Sequence, residues 1–312
     1  MARMIPARLA RGLGRRVAVT TALAAVLGLT AVALPDATHR TPDSVLVATE
    51  HAATVDIGKD MLWVLAVGSD ARPGEDMLRS RGDALQLVGI DTRTGAATVL
   101  GVPRDSWVPI PGHGSNRINA ALYFGGPKLL GETVGNLFGV EPDYVFVTRF
   151  KKFEQLVSDI GGIWIDNPFY FEDQYLKERG FQKGRIKLTG YEAHAYARIR
   201  KALLRGDFDR SANQQKVIRG IQRKVRNSAG KPGFIAKGVL SVTRNLATDL
   251  APTELYRLGH LLASIDPGKV SACVLQGSIG NVGGASVVLP FTEQAKRMGA
   301  DAKDDAVTRC VG

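Results

Sequence analysis

The chain has 312 residues, 45% of them hydrophobic, enough for a substantial core in one large domain or two modest ones. Its formal net charge is +11, and residues 1–16 carry Arg3, Arg8, Arg11, Arg15 and Arg16 without an acid, which leaves about +6 for the rest; that balance suits phosphate-rich ligands, acidic polymers or a membrane surface. Charge alone admits nucleic acid, but aromatic residues are only 7% and no zinc-knuckle, RNP or helix-turn-helix pattern occurs, so nucleic acid is not an expected partner.

Behind the arginines, residues 17–34 run eighteen positions without a charge, close to the length that spans a bilayer. The flanking arginines predict a cytoplasmic tail over 1–16, a single-pass transmembrane helix over 17–34 and an extracytoplasmic remainder. A cleaved signal peptide is the competing reading, because Ala31 and Ala33 precede Leu34. Residues 35–58, with Pro35 and Pro42, read as a stalk. Then come three short apolar runs, 61–68 (MLWVLAVG), 84–90 (ALQLVGI) and 96–102 (AATVLGV), which predict buried strands. The DTRTG turn between the last two predicts an antiparallel pair. Further strands are expected at 144–150 and 163–165. Helical periodicity covers 128–138, stopped by Gly139. It returns at 150–160, where Phe153, Leu156, Val157 and Ile160 share a face and Gly161 and Gly162 end the run. Helices at 189–197 and 208–225 follow. This interleaving predicts an α/β fold, a layered α-β-α domain with a central mixed β-sheet over 59–226. Residues 227–312 read as an extension packed on that core, with helices at 233–246 and 253–265. It holds the only two cysteines, Cys273 and Cys310. In an exported protein two cysteines often pair; two separate buried thiols are the alternative.

The charged residues follow the same scaffold. On the helix after Asp207, Val217, Ile221 and Val225 form an apolar stripe whose backward extension meets Gln214, Arg210 and Asp207. The core-facing side thus turns polar at the helix N-terminus, where free N–H groups and the dipole favour an anion. Arg198 and Arg200, two apart, point the same way on extended backbone. A solvated basic face is the plainer alternative. At the strand ends, Asp70 and Arg72 follow the first strand, Arg81 and Asp83 precede the second, and Arg104 and Asp105 follow the third. In an antiparallel pair the start of one strand and the end of its neighbour share an edge, so Arg81, Asp83, Arg104 and Asp105 converge there. Asp70 and Asp83 are candidate ligands for a hard cation, Mg²⁺ or alternatively Mn²⁺, that keeps waters and shares phosphate oxygens. No GxSxG, HExxH or P-loop motif occurs, and His194, inside a helix, reads as packing. The chemistry that remains is positioning and charge stabilisation at a phosphoryl centre.

Seven stretches in order, VGSDAR, RSRGDAL, VPRDSWV, NRINAAL, DIGGIWI, LTGYEAHAYARIR and GDFDRSANQQ, resemble the LytR–CpsA–Psr family over roughly residues 60–225. The resemblance implies a membrane-anchored phosphotransferase of the bacterial cell wall. Such enzymes move a glycopolymer from a polyprenyl-pyrophosphate carrier onto peptidoglycan and leave a phosphodiester link. Asp70 and Asp83 match the family's magnesium ligands. Arg81, Arg104, Arg198, Arg200, Arg210 and Gln214 match residues around the pyrophosphate, and Asp207 matches an acid of the same site. Arg117 falls where the family commonly has lysine, and Asp209 where small residues are common. Arg81, Arg104, Asp105 and Asp207 are the catalytic candidates, with Asp105 and Asp207 the candidate general bases by position. The family fold also implies an apolar tunnel for the polyprenyl chain, which the helices at 128–138 and 150–160 are able to line. Two rival readings use the same site: a pyrophosphatase that gives the carrier's phosphate to water, and a non-catalytic regulator that binds lipid carriers.

Overall fold

Short apolar strands meet in one sheet whose outermost members come from parts of the sequence with the weakest signals. The computed structural model describes residues 42–49, 52, 61–72, 74–243 and 246–310; the expected tail and transmembrane helix lie outside the described residues. The first strand, β1 (Ser44–Ala48), falls inside the stretch read as a stalk, and its Val45 and Leu46 are buried. There follow β2 (Met61–Ser69), β3 (Gly82–Asp91), β4 (Ala97–Gly101) and a small hairpin of β5 (Trp107–Ile110) and β6 (Gly114–Arg117). Helix α1 (Ala120–Phe138) is kinked at Gly126, whose φ is 70°, and Pro127, so the sequence signal begins only at its second segment. Next come β7 (Tyr144–Arg149), α2 (Phe150–Asp159), β8 (Ile163–Asn167), β9 (Phe171–Asp173), β10 (Lys177–Phe181), β11 (Gly184–Leu188), α3 (Gly190–Arg198) and α4 (Asp207–Ser228). The last stretch holds α5 (Phe234–Thr243), β12 (Leu246–Thr248), α6 (Pro252–Ser264), β13 (Val270–Val274), β14 (Gly277–Val282), β15 (Ala285–Pro290) and α7 (Thr292–Ala302).

The central sheet has seven strands in the order β12-β1-β7-β2-β3-β4-β13. It is mixed: β2–β3 and β3–β4 are antiparallel, as the turn chemistry predicts, while β2–β7, β1–β12 and β4–β13 are parallel. Side-chain alternation gives the sheet two apolar faces. Leu65, Val67, Leu85 and Leu87 pack against Leu122, Leu130, Val134 and Phe138 of α1. On the other face Leu62 and Ile90 meet Leu255 and Leu261 of α6. Helix α2 packs elsewhere, in a second cluster with α3, β8 and β11. Both edge strands, β12 and β13, lie in the stretch 227–312, so the sheet runs through the boundary drawn at residue 227, and Pro42–Gly312 form one compact unit.

Two local features hold α4 on the sheet. Gly101 leaves room for it: a methyl there would lie 2.9 Å from Gln215 Nε2 and would collide with Ser211 Oγ. Gln215 Nε2 in turn donates to the carbonyls of Val99 (3.1 Å) and Cys273 (2.6 Å). Cys273 and Cys310 form a disulfide that ties residues 37 apart across β13. Among the described residues, no helix is long and apolar enough to cross a membrane.

Candidate functional site

The antiparallel β3–β4 pairing brings the start of β3 and the end of β4 to one edge, and Asp83 and Arg104 form an ion pair there. Burial works against the charge of Arg104, but Asp83 beside it, with Asp105 and Asp207, holds the guanidinium above its ordinary pKa. Asp70 enters from the end of β2, its Oδ1 accepting the Arg81 N–H at 3.3 Å. Partial burial, and then the like charge of Asp83, raise the Asp70 pKa. Two carboxylates close enough to repel each other are a donor set that a divalent cation relieves, provided waters or a ligand complete its shell. Among the described residues no group of three or more His, Cys, Asp or Glu side chains can hold a metal. The pair alone supplies too few ligands for a cation, so waters or a bound ligand would have to complete its shell.

Asp105, with 20% of its side chain exposed, stands at the centre of three guanidiniums. Arg104 Nε lies 3.8 Å away, Arg117 Nε 3.7 Å and Arg200 Nη1 3.6 Å. All are beyond hydrogen-bond length. Arg104 Nε and Arg117 Nε are buried donors with no acceptor among the described residues, an arrangement that costs free energy unless water or a ligand oxygen fills it. The loop is held from behind by the β14–β15 hairpin: Val288 N donates to Asp105 O at 2.9 Å, and Arg117 Nη2 to Ser286 O at 2.7 Å.

Asp207 and Arg210, on the first turn of α4, form a tight buried pair, and Asp207 Oδ2 also accepts the Arg104 N–H at 3.1 Å. Burial raises the pKa of Asp207 and lowers that of Arg210. The helix N-terminus, expected to face a ligand anion, thus carries acids of its own. Asp207 braces the site, and Asp209 pins Arg205 through Nε at 2.9 Å, a use for the carboxylate that stands where small residues are common.

The structure corrects a further expectation. Arg198 and Arg200 do not share an extended strand: Arg198 closes α3 and lies 5.5 Å over the Phe150 ring, while Arg200 turns to Asp105. Gln214, a candidate to touch ligand, is buried, and its amide is bonded to protein groups. Its Oε1 accepts from Gln86 Nε2 (3.0 Å) and its Nε2 donates to Ala197 O (3.3 Å). Gln86 also donates to Ser211 Oγ at 3.0 Å. This brace was missed, although glutamine in the middle of the apolar run ALQLVGI signalled it, since a buried amide must find partners. His194 packs as expected, stacked on Phe150 and bonded to Glu154 at 2.8 Å.

A LytR_cpsA_psr family model matches residues 36–304. The chain belongs to the LytR_cpsA_psr family. A relative from Bacillus subtilis (strain 168), the polyisoprenyl-teichoic acid–peptidoglycan teichoic acid transferase TagU, is 37% identical over 202 residues. That match takes in 64% of this chain and 63% of TagU, so it spans less than two thirds of the relative's length. Among solved structures, B. subtilis TagV superposes with a TM-score of 0.67 at 28% identity, over 78% of this chain and 97% of that one. The LytR-CPS2A-psr family protein YwtF (TagT) with bound octaprenyl pyrophosphate lipid gives 0.62 at 25% identity, over 82% of this chain and 94% of the other. The LytR_cpsA_psr match reaches past the motifs legible in the sequence and takes in β12, β13 and the β14–β15 hairpin that backs Asp105.

Proposed function

We propose that this chain transfers a glycopolymer from a polyprenyl-pyrophosphate carrier to peptidoglycan. The observation that carries the reading is the ring of loosely paired guanidiniums around Asp105, with two buried N–H donors lacking acceptors among the described residues. A pyrophosphate supplies those acceptors. The transferase activity for which TagU is named and the octaprenyl pyrophosphate bound by YwtF support the same substrate class. Arg104, Arg117 and Arg200 would clamp the phosphates through charge-assisted bonds, Arg81 and Arg198 would add charge at the rim, and Arg210 would act through Asp207. Asp70 and Asp83 would hold Mg²⁺, or Mn²⁺, which when bound supplies positive charge to the phosphate oxygens.

In the reaction a peptidoglycan hydroxyl attacks the phosphorus bonded to the glycopolymer. A new P–O bond forms, the bond to the bridging oxygen breaks, and polyprenyl phosphate leaves. Asp105 is the better candidate to take the hydroxyl proton, because it is accessible and its contacts are long, whereas both Asp207 oxygens are committed. The apolar layer between α1 and the sheet is the proposed seat of the polyprenyl chain. The arginines ahead of the uncharged run 17–34 support a single-pass anchor with the domain outside the membrane.

The test supplies a labelled lipid-linked glycan with and without a defined peptidoglycan acceptor. Label should enter the acceptor as a phosphodiester. Release to water at the same rate with acceptor present would favour the pyrophosphatase reading. Binding without turnover would favour the regulator.

A further inference from the structure

The far half of α4 meets β8 and β11 in a cleft of about 280 Å³ that the reaction does not use. Gly220 lets the helix approach: a methyl there would lie 3.1 Å from the Trp164 carbonyl oxygen and 3.1 Å from Ile165 Cγ2. Strand β8 alternates, with Ile163, Ile165 and Asn167 inward and Trp164 and Asp166 outward. An indole, 48% exposed, thus stands where alternation ordinarily sets a polar side chain. The Arg185 guanidinium lies 5.3 Å from its ring centre, a cation–π contact that orients both groups. Arg223 is turned to the same cleft by Asp166 Oδ2 at 3.3 Å and the Trp164 carbonyl at 3.5 Å. With Lys224 beside them, three cations face one carboxylate.

These groups form two halves of one recognition chemistry. The indole offers a flat apolar face to the C–H face of a sugar ring, and the guanidiniums offer forked donors to a phosphate or carboxylate. Asn227 adds a donor and an acceptor for hydroxyls. We propose that the cleft is a second saccharide subsite, one that binds an anionic sugar unit of the polymers handled at the Asp105 edge. Its source of ligand rests on the transferase reading. Arg210 and Arg223 are 13 residues apart on one helix, about 20 Å along its axis, so the subsite engages a remote repeat of a chain rather than the reacting unit. A second contact of this kind raises the effective concentration of the polymer at the first.

The chain has three tryptophans, so full-length protein labelled with 5-fluorotryptophan in detergent gives three fluorine resonances, and Trp164→Phe assigns the one at the cleft. A short oligomer of phosphodiester-linked hexose units, or a soluble peptidoglycan fragment with free carboxylates, should shift that resonance saturably, the responding arm naming the source. A neutral chitin oligosaccharide and inorganic phosphate should bind roughly tenfold more weakly, as should the anionic oligomer to Arg223→Ala. Lys296→Ala, an exposed charge on α7, should bind like wild type. Silence toward both anionic oligomers, or equal affinity for the neutral sugar, overturns the subsite. Transfer is measured on the same samples: binding at Trp164 without transfer sinks the transferase reading and leaves the subsite standing, whereas normal transfer with a silent Trp164 does the reverse.

Discussion

Asp105 and Asp207 are both carboxylates set among arginines, and they are held in opposite ways. Asp207 is buried, bonded to the Arg104 N–H and pressed against Arg210. Asp105 is partly open, with three guanidiniums at 3.6 to 3.8 Å and none bonded to it. The number of ion pairs therefore does not mark a binding site here. The two sets differ in length and access: the tight buried pair has used its donors, and the loose contacts leave theirs open.

The largest effect should come from the loose group. Arg104→Ala removes a donor that touches Asp83 and faces Asp105, and transfer should fall by about 10²–10³ in kcat. Arg104→Lys should recover only part, because lysine keeps the charge without the fork. Near wild-type transfer by a folded Arg104→Ala protein would break the comparison at its open end. Asp105→Asn should lower kcat by about 10² or more while its melting temperature stays within a few degrees of wild type, since partly exposed pairs at 3.6 to 3.8 Å contribute little to stability. A large loss of stability there would mean that Asp105 is a brace too.

The tight group should behave in the reverse sense. Gln86→Leu leaves Ser211 Oγ and Gln214 Oε1 without their shared donor and should cost about 1–3 kcal/mol in urea unfolding. Unchanged stability would show that α4 does not depend on this bond set. The smallest effect is a pH trend at Asp207. Burial raises its folded pKa above the ordinary 3.8, so the folded state binds the extra proton. The stability it contributes is fully present below the unfolded value and is lost as pH rises through the folded one. Asp207→Asn carries no such proton, so the variant should gain on wild type as melts are taken from about pH 3.5 upward through that window. A gap that stays constant, or moves the other way, would reverse the assigned direction.

The sequence carried the meeting of Asp83, Arg104 and Asp105, because hairpin topology alone decides which strand ends share an edge. It also carried the polar end of the α4 stripe. It did not carry the direction of the Gln214 amide, which depends on Gln86 more than a hundred residues away, nor the separate aims of Arg198 and Arg200, which depend on where α3 ends. The strands β1 and β12 escaped notice for different reasons. Strand β1 lies in a stretch whose prolines and polar residues read as a stalk, β12 has three residues, too few for periodicity to register, and both take their order from pairing, β1 with β7 and β12 with β1.

That pairing has a consequence for the order in which the protein is made. Every residue of the proposed catalytic edge precedes residue 215, yet the strands that close the two margins of the sheet begin at Leu246 and Val270. A nascent chain emerging N-terminus first would hold the full set of reactive groups while β1 and β4 still had bare hydrogen-bonding margins, the state most open to mispairing with another chain. A truncation just beyond α4 would freeze that state. The last third of the chain thus acts as a finishing step, and the bond from Cys310 back to Cys273 fastens the end of the chain to the strand that closes one margin.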